Sequence, residues 1–428
     1  MGKSLGQRAA AYSPARLERG VWAGCAVVAP GFALASDVET HRVWGWTAGA
    51  GYALAALLSS GSRPRRTARA VAVLGAVLVP LAGLVAAGLA QSEVAVVERS
   101  GRLLLTTGSP YVSAPVSVGD FNPYLPGMAL FGVLPGDARW WLGGAFVACL
   151  AAVGLGRARL LACPLVALPC AVGGVDLPVA GLMCLGVALA GRGRAGRAGL
   201  ALGAAAALKW TAWPALPVAF AFLAVSRGGR SALRCAAVGL GTATAAVLPF
   251  ALADPAGFHR NVVAFPLGLT AVASPAESPL PGHLLAAYVP GGTVIALVLL
   301  AAGALLIGLS LALRPPGTVR AAAARLALGL GLATALMPAT RFGYLVYPLV
   351  LGAPALRTPP RVIPVVTVGE PAPAGEKVPC STCSAPKPPP RGGRCRAVAD
   401  PVAAHRGIRL RGRGVRGTVG GHRGRREQ

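Results

Sequence analysis

Residues 286–313 read AAYVPGGTVIALVLLAAGALLIGLSLAL, and no charged side chain interrupts them before Arg314. A helix needs about 20 apolar residues to cross the ~30 Å hydrocarbon core of a bilayer. This run is long enough, and its composition offers no polar face to water. It therefore predicts a membrane-spanning helix ending at Arg314. On either side the pattern repeats, with apolar runs of similar length separated by short, arginine-bearing connections or by longer polar stretches.

Composition extends this reading to most of the chain. Of 428 residues, 54% are hydrophobic and only 13% charged, where a soluble domain carries roughly 25% charged residues. Too few polar side chains remain to cover a water-facing surface, which excludes a soluble protein of this size. The hydrophobicity equally excludes disorder for most of the chain. Abundant glycine (58 residues) suits helices that pack backbone to backbone in lipid. The expected class is an all-α, polytopic membrane protein.

The net charge of +27 invites a nucleic-acid reading. The arginines, however, fall in clusters between apolar runs and in the C-terminal tail, as cytoplasmic loops do under the positive-inside rule. No nucleic-acid partner is expected. Oriented by these clusters, the predicted spans are 20–36, 44–60, 68–90, 138–156, 160–175, 177–191, two within 198–225, 235–252, 286–313, 321–337 and 344–356. That is about twelve crossings by the length rule, with both termini cytoplasmic in a plasma membrane. Residues 1–19 form a cytoplasmic N-terminal segment and 20–356 the membrane domain. Within it, 91–125 and 253–285 are the long outer loops. Residues 126–136, broken by Pro126 and Pro135, read as re-entrant or interfacial.

From residue 357 the composition changes: 15 Lys and Arg stand against 4 Asp and Glu, among many Pro and Gly. Residues 357–428 are expected to be a disordered cytoplasmic tail, basic enough to touch anionic membrane lipids. Cys380 and Cys383 form a CxxC with Cys395 nearby, but no fourth ligand follows at zinc-site spacing. We assign no metal ligand and no cofactor. No Walker A or HExxH pattern is present in the chain, and the glycine-rich stretch Gly191–Gly196 is not preceded by a strand, as a dinucleotide-binding turn would be.

Ionisable residues at a membrane are costly and mark candidate sites. On the predicted outer side, Glu93, Glu98 and Asp120 share one loop, and other acids, Asp176 among them, lie in the turns. Two cations stand apart from the arginine clusters. Lys209 interrupts the apolar stretch from Ala204 to Leu216, where a lysine must snorkel or meet an anion. Arg341, in the outer turn PATRFGY (338–344), breaks the positive-inside pattern; arginine recognises phosphate through paired hydrogen bonds.

Several stretches then form an ordered pattern: Glu93-Val94-x-Val96-Val97, Leu103–Leu105, Gly108 and Tyr111; Phe121-Asn122-Pro123-Tyr124-Leu125-Pro126; GAAAALKWTAWPALP at 203–217; and the 338–344 turn. Over residues 68–356 this order resembles glycosyltransferase family 87, the polyprenol-phosphate-mannose-dependent membrane mannosyltransferases, in its actinobacterial form. The family's usual Asp is Glu93 here, and its usual Tyr is Val97. The resemblance implies a GT-C-like architecture with its site on the extracytoplasmic face. It implies transfer of a sugar, mannose by the family's habit, from a polyprenyl-phosphate donor to a glycan or glycolipid acceptor. Glu93 is then the expected base, with Asp120 in reserve. Lys209 and Arg341 are expected phosphate contacts, and Asn122 and Tyr124 sugar or acceptor contacts. The competing expectations are a transporter or flippase for a lipid-linked or polar substrate, and a non-catalytic membrane protein of the same fold.

Overall fold

The computed structural model describes residues 14–59, 65–155, 158–272 and 275–357, all within one compact unit, Met1–Val362. Most of the N-terminal segment, Arg63, Arg157 and the tail with Cys380, Cys383 and Cys395 lie outside the described residues.

The described residues are helical, with no named strand and one isolated β-bridge, between Glu277 and Thr340. In chain order the main helices are α1 (Pro14–Ala35), α2 (Glu39–Leu58), α3 (Arg65–Ala86), α4 (Ser92–Thr107), α5 (Ala138–Ala152), α6 (Pro164–Val172) and α7 (Asp176–Gly191). There follow α8 (Ala195–Leu208), α9 (Ala215–Arg227), α10 (Gly229–Ala253), α11 (Pro281–Tyr288), α12 (Gly292–Leu313), α13 (Val319–Leu336) and α14 (Val346–Arg357). Four of them, α3, α10, α12 and α13, are long and apolar enough to cross a membrane. Helix α12, 22 residues long, carries most of the 286–313 run, and at 1.5 Å per residue it extends about 33 Å.

Some expected boundaries move. The run 286–313 breaks at Pro290 and Gly291, so α12 begins at Gly292 and the residues before it belong to the separate α11. The stretch 91–125, expected to be an outer loop, is not loop throughout: Ser92–Thr107 form α4, which buries Val94, Val97, Ser100 and Gly101 on one face. Its mixed polar sequence hides that stripe from a hydropathy window. Residues 126–136 hold only a 3₁₀ turn and one short helix, as their prolines require.

Two large apolar cores organise the unit, beside a small one around Tyr111, Leu125 and Val262. One gathers α1, α2, α3 and α6; the larger runs from α4 and α5 through α7, α8 and α9 to α13 and α14. The first is pinned by hydrogen bonds that follow from sequence. Pro80 has no N–H to give Ala76 four residues earlier, and α3 passes through a π turn at Leu74–Leu78. The indole of Trp44 donates to that Ala76 carbonyl at 2.9 Å. Tyr52 likewise donates to the carbonyl of Ala162 at 2.6 Å. In lipid, a carbonyl released from a helix needs such a partner.

Helices α7 and α8 form a hairpin, so Asp176 at the start of one meets Lys209 just past the end of the other. At 16 and 14 residues they are short, spanning about 24 and 21 Å at 1.5 Å per residue. The candidate site sits where they stop.

Candidate functional site

The chain breaks helix at Lys209, whose backbone is extended (φ −159°, ψ 144°), before a 3₁₀ turn at Trp210–Ala212 and Pro214. Outside donors take up two of the carbonyls the break releases: Trp213 Nε1 donates to Ala206 at 3.0 Å and the Leu125 N–H to Leu208 at 3.0 Å. The break turns the lysine off the helix axis.

Lys209 is buried and its anion is internal. Its Nζ lies 2.6 Å from Asp176 Oδ1, which also accepts from Tyr347 Oη at 2.5 Å. Tyr347 in turn shares a hydrogen bond of 2.8 Å with Thr211. The ammonium also lies over the Tyr344 ring, 4.4 Å from its centroid, and 5.7 Å from that of Tyr124, within cation–π range. Arg341 is paired too: its Nη1 donates to Glu93 Oε1 at 2.5 Å. The arginine that broke the positive-inside pattern has its reason in a carboxylate 248 residues away in sequence.

Two cavities meet at these pairs. The first, of ≈ 280 Å³, is largely apolar, with Val96, Val118, Phe121, Trp210, Phe265 and Met337 around Glu93, Tyr124, Asp176, Lys209, Arg341 and Tyr344. The second, of ≈ 580 Å³, is lined by Phe32, Asp37, His41, Gln91, Glu277 and Ser278. His41 Nδ1 lies 3.0 Å from Ser36 Oγ and its Nε2 2.5 Å from the Gln91 amide nitrogen. Glu93, Asp176, Arg341 and Tyr344 line both cavities and so form the wall between them.

Of the residues expected from sequence, Glu93, Lys209, Arg341 and Tyr124 come together here. Asp120 and Asn122 are placed elsewhere. The Asp120 carboxylate closes a surface turn, accepting from the Ser117 N–H (2.8 Å), the Ser117 hydroxyl (2.8 Å) and the Val116 N–H (3.2 Å). Those bonds to Ser117 hold its carboxyl below the ordinary carboxylate range, with the Val116 N–H acting in the same direction. Asn122 is a buried strut. Its amide donates to Ser100 Oγ and the Pro110 carbonyl, and its backbone N–H donates to Asn261 Oδ1. A short polar residue in a loop gives no sequence sign of whether it faces ligand or protein.

Asp176, Tyr344 and Tyr347 join the site without having been singled out for it. The sign available for Asp176 was its position as the lone acid between two apolar runs, one helical hairpin away from Lys209. Among the described residues there is no group of three or more His, Cys, Asp or Glu that could hold a metal ion.

The fold and site together define a helical protein of membrane character with a charged, two-chambered cavity. Compared with protein families, with curated proteins and with solved structures, the chain matches none of them.

Proposed function

We propose that the protein is a membrane glycosyltransferase of GT-C-like architecture and about twelve spans by the length rule, acting on a sugar carried by a polyprenyl phosphate. The observation that supports this most is the wall of Glu93, Arg341, Asp176 and Tyr344 between an apolar cavity and a more polar one. An isoprenoid chain needs apolar walls, its phosphate needs cations, and the acceptor hydroxyl needs a base. All three lie within one site.

In this reading the acceptor oxygen attacks the anomeric carbon of the sugar, and the bond from that carbon to the phosphate oxygen breaks. Polyprenyl phosphate leaves with the electron pair, and the acceptor proton passes to the Glu93 carboxylate. A guanidinium has five N–H donors; Arg341 commits one to Glu93 and has others for the phosphate. Fixed cations of this kind stabilise charge developing on a leaving group. Lys209, its charge met by Asp176, supports the wall of the cavity rather than bonding the phosphate directly. Mannose is the sugar favoured by the family resemblance, and a glycan or glycolipid outside the plasma membrane is the acceptor.

Membranes containing the protein should transfer radiolabel from polyprenyl-phosphate-mannose to an extractable acceptor, and Glu93→Gln membranes should not. The break at Lys209 is also what a transporter's discontinuous helix would show. Movement of labelled lipid between leaflets without a new glycosidic bond would overturn the transferase reading in favour of transport.

A further inference from the structure

At the opposite end of α8 from Lys209 lies a cleft of ≈ 510 Å³ whose lining includes Arg194, Arg197, Arg230 and Arg234 and no acid. We propose that this cleft binds a phosphate-bearing anion. It is independent of the reading above, since α8 has 14 residues and separates the two places by about 21 Å at 1.5 Å per residue.

The positive-inside rule explains why arginines collect at one end of the helices. It does not explain why those of two different connections converge. The packing does. Helices α8 and α10 touch backbone to backbone: a Cβ on Gly199 would meet the Cys235 carbonyl, and one on Gly203 the Gly239 carbonyl. That seam carries the α7–α8 turn, with Arg194 and Arg197, against the start of α10. There Arg230 and Arg234, four residues apart, share a face.

Two more glycines let the guanidinium groups close in. A Cβ on Gly196 would stand 3.2 Å from Arg234 Nε, and one on Gly193 would stand 3.3 Å from Arg227 Nη1. The cations therefore lie against the first turn of α8, which has no side-chain cap. The leading N–H groups of a helix lack intrahelical acceptors and carry the positive end of its dipole. Several guanidinium groups beside a positive helix end are mutually repulsive. An anion placed among them is attracted to each, which offsets that repulsion. Guanidinium forks and backbone N–H groups are both phosphate donors. The phosphate could belong to an anionic lipid headgroup or to a soluble molecule; the recognising chemistry is shared.

The test uses the full chain, delipidated in an uncharged detergent, with either phosphatidylglycerol or inorganic phosphate titrated in. Thermal midpoint and native mass spectrometry are the readouts. The wild-type protein should gain stability saturably and retain the ligand. Arg194→Gln/Arg230→Gln/Arg234→Gln should bind at least about tenfold more weakly, since charge-assisted bonds are removed. These arginines are exposed, so the core is not disturbed. Should the triple variant not be recoverable, Arg230→Gln alone should weaken binding several-fold. Arg65→Gln/Arg66→Gln, which removes exposed arginines outside the cleft, should behave as wild type. A response to phosphatidylglycerol alone assigns a lipid headgroup, and a response to inorganic phosphate alone assigns a soluble ligand. A response to both leaves the site with either, as proposed. The proposal is overturned if neither ligand stabilises the wild type, or if the cleft variants respond as the control does.

Discussion

Replacing Asp176 by leucine would leave the Lys209 ammonium buried without its anion. The two side chains are only 9% and 11% exposed, and the contact is 2.6 Å. At an effective dielectric constant of about 20, unit charges at that distance attract by about 6 kcal/mol. Desolvating the two ions removes several kcal/mol each, so the intact pair adds little net stability. Removing one partner is different, because the desolvation of the other remains: such single substitutions lose about 3–5 kcal/mol. Tyr347 also loses an acceptor, although it keeps its bond to Thr211. Asp176→Leu and Lys209→Met should each therefore destabilise by about 3–5 kcal/mol, and the double variant should recover most of the loss. Equilibrium unfolding in mixed micelles titrated with sodium dodecyl sulfate measures all four proteins of the cycle. Additive single effects, with coupling below about 0.5 kcal/mol, would refute the pairing.

Glu93→Gln keeps shape but removes proton acceptance and should slow transfer by about 10²–10⁴-fold. Glu98→Gln should change it little, because Glu98 accepts from the Ala138 N–H and a glutamine carbonyl can do the same; equal losses in a labelled-donor assay would sink the assignment. The Asp120 turn is held by an ionised carboxylate whose pKa lies below its unfolded value. Its contribution is thus complete above the unfolded value of about 4 and lost as pH falls through the folded one. The protection factors of the Val116 and Ser117 amides, corrected for the intrinsic pH dependence of exchange, should fall only in acid for the wild type and be low at every pH for Asp120→Ala; wild-type protection factors that do not change with pH would contradict this. Gly203→Leu pushes a side chain into the Gly239 carbonyl, whereas Gly241 has nothing within 4 Å of its missing Cβ. Overpacking of this kind loses about 1–3 kcal/mol or more, so Gly203→Leu should reduce the yield of monodisperse protein while Gly241→Leu does not.

What the sequence made legible was set by range. The run at 292–313 declares a helix residue by residue, because an all-apolar stretch has one use in lipid. The break near Lys209 was legible for a local reason, a lysine and Pro214 inside an apolar stretch. Helix α4 was not, since its buried stripe is four residues within a mixed segment and shows itself only against its neighbours. In the site, both unusual cations were visible because each broke a local pattern. Their partners were harder. Glu93 stood out through its place in an ordered motif, whereas Asp176 looked like one of several turn acids until the α7–α8 hairpin placed it beside Lys209. Asn122 and Asp120 show the converse. Polar type was readable, but Asn122 is held by Ser100 and Asn261, which no spacing rule connects to it, and the Ser117-x-x-Asp120 spacing that closes the Asp120 turn is local but does not say whether the carboxylate also faces a cavity.

The distance along the chain between Glu93 and Arg341 has a consequence for how the protein is made. Asp176 waits 33 residues for Lys209, and Glu93 waits 248 for Arg341. At 5–20 residues per second, a chain emerging from the ribosome leaves Glu93 without its cation for roughly 12–50 s. Lys209 arrives within several seconds of Asp176 at the same rate, on one helical hairpin. The first pair can therefore form during insertion, while the second must close after nearly all the membrane segments have been delivered. The wall between the two cavities is accordingly a late product of biosynthesis, and a nascent chain halted before Arg341 would carry an open carboxylate where the finished protein has a partition.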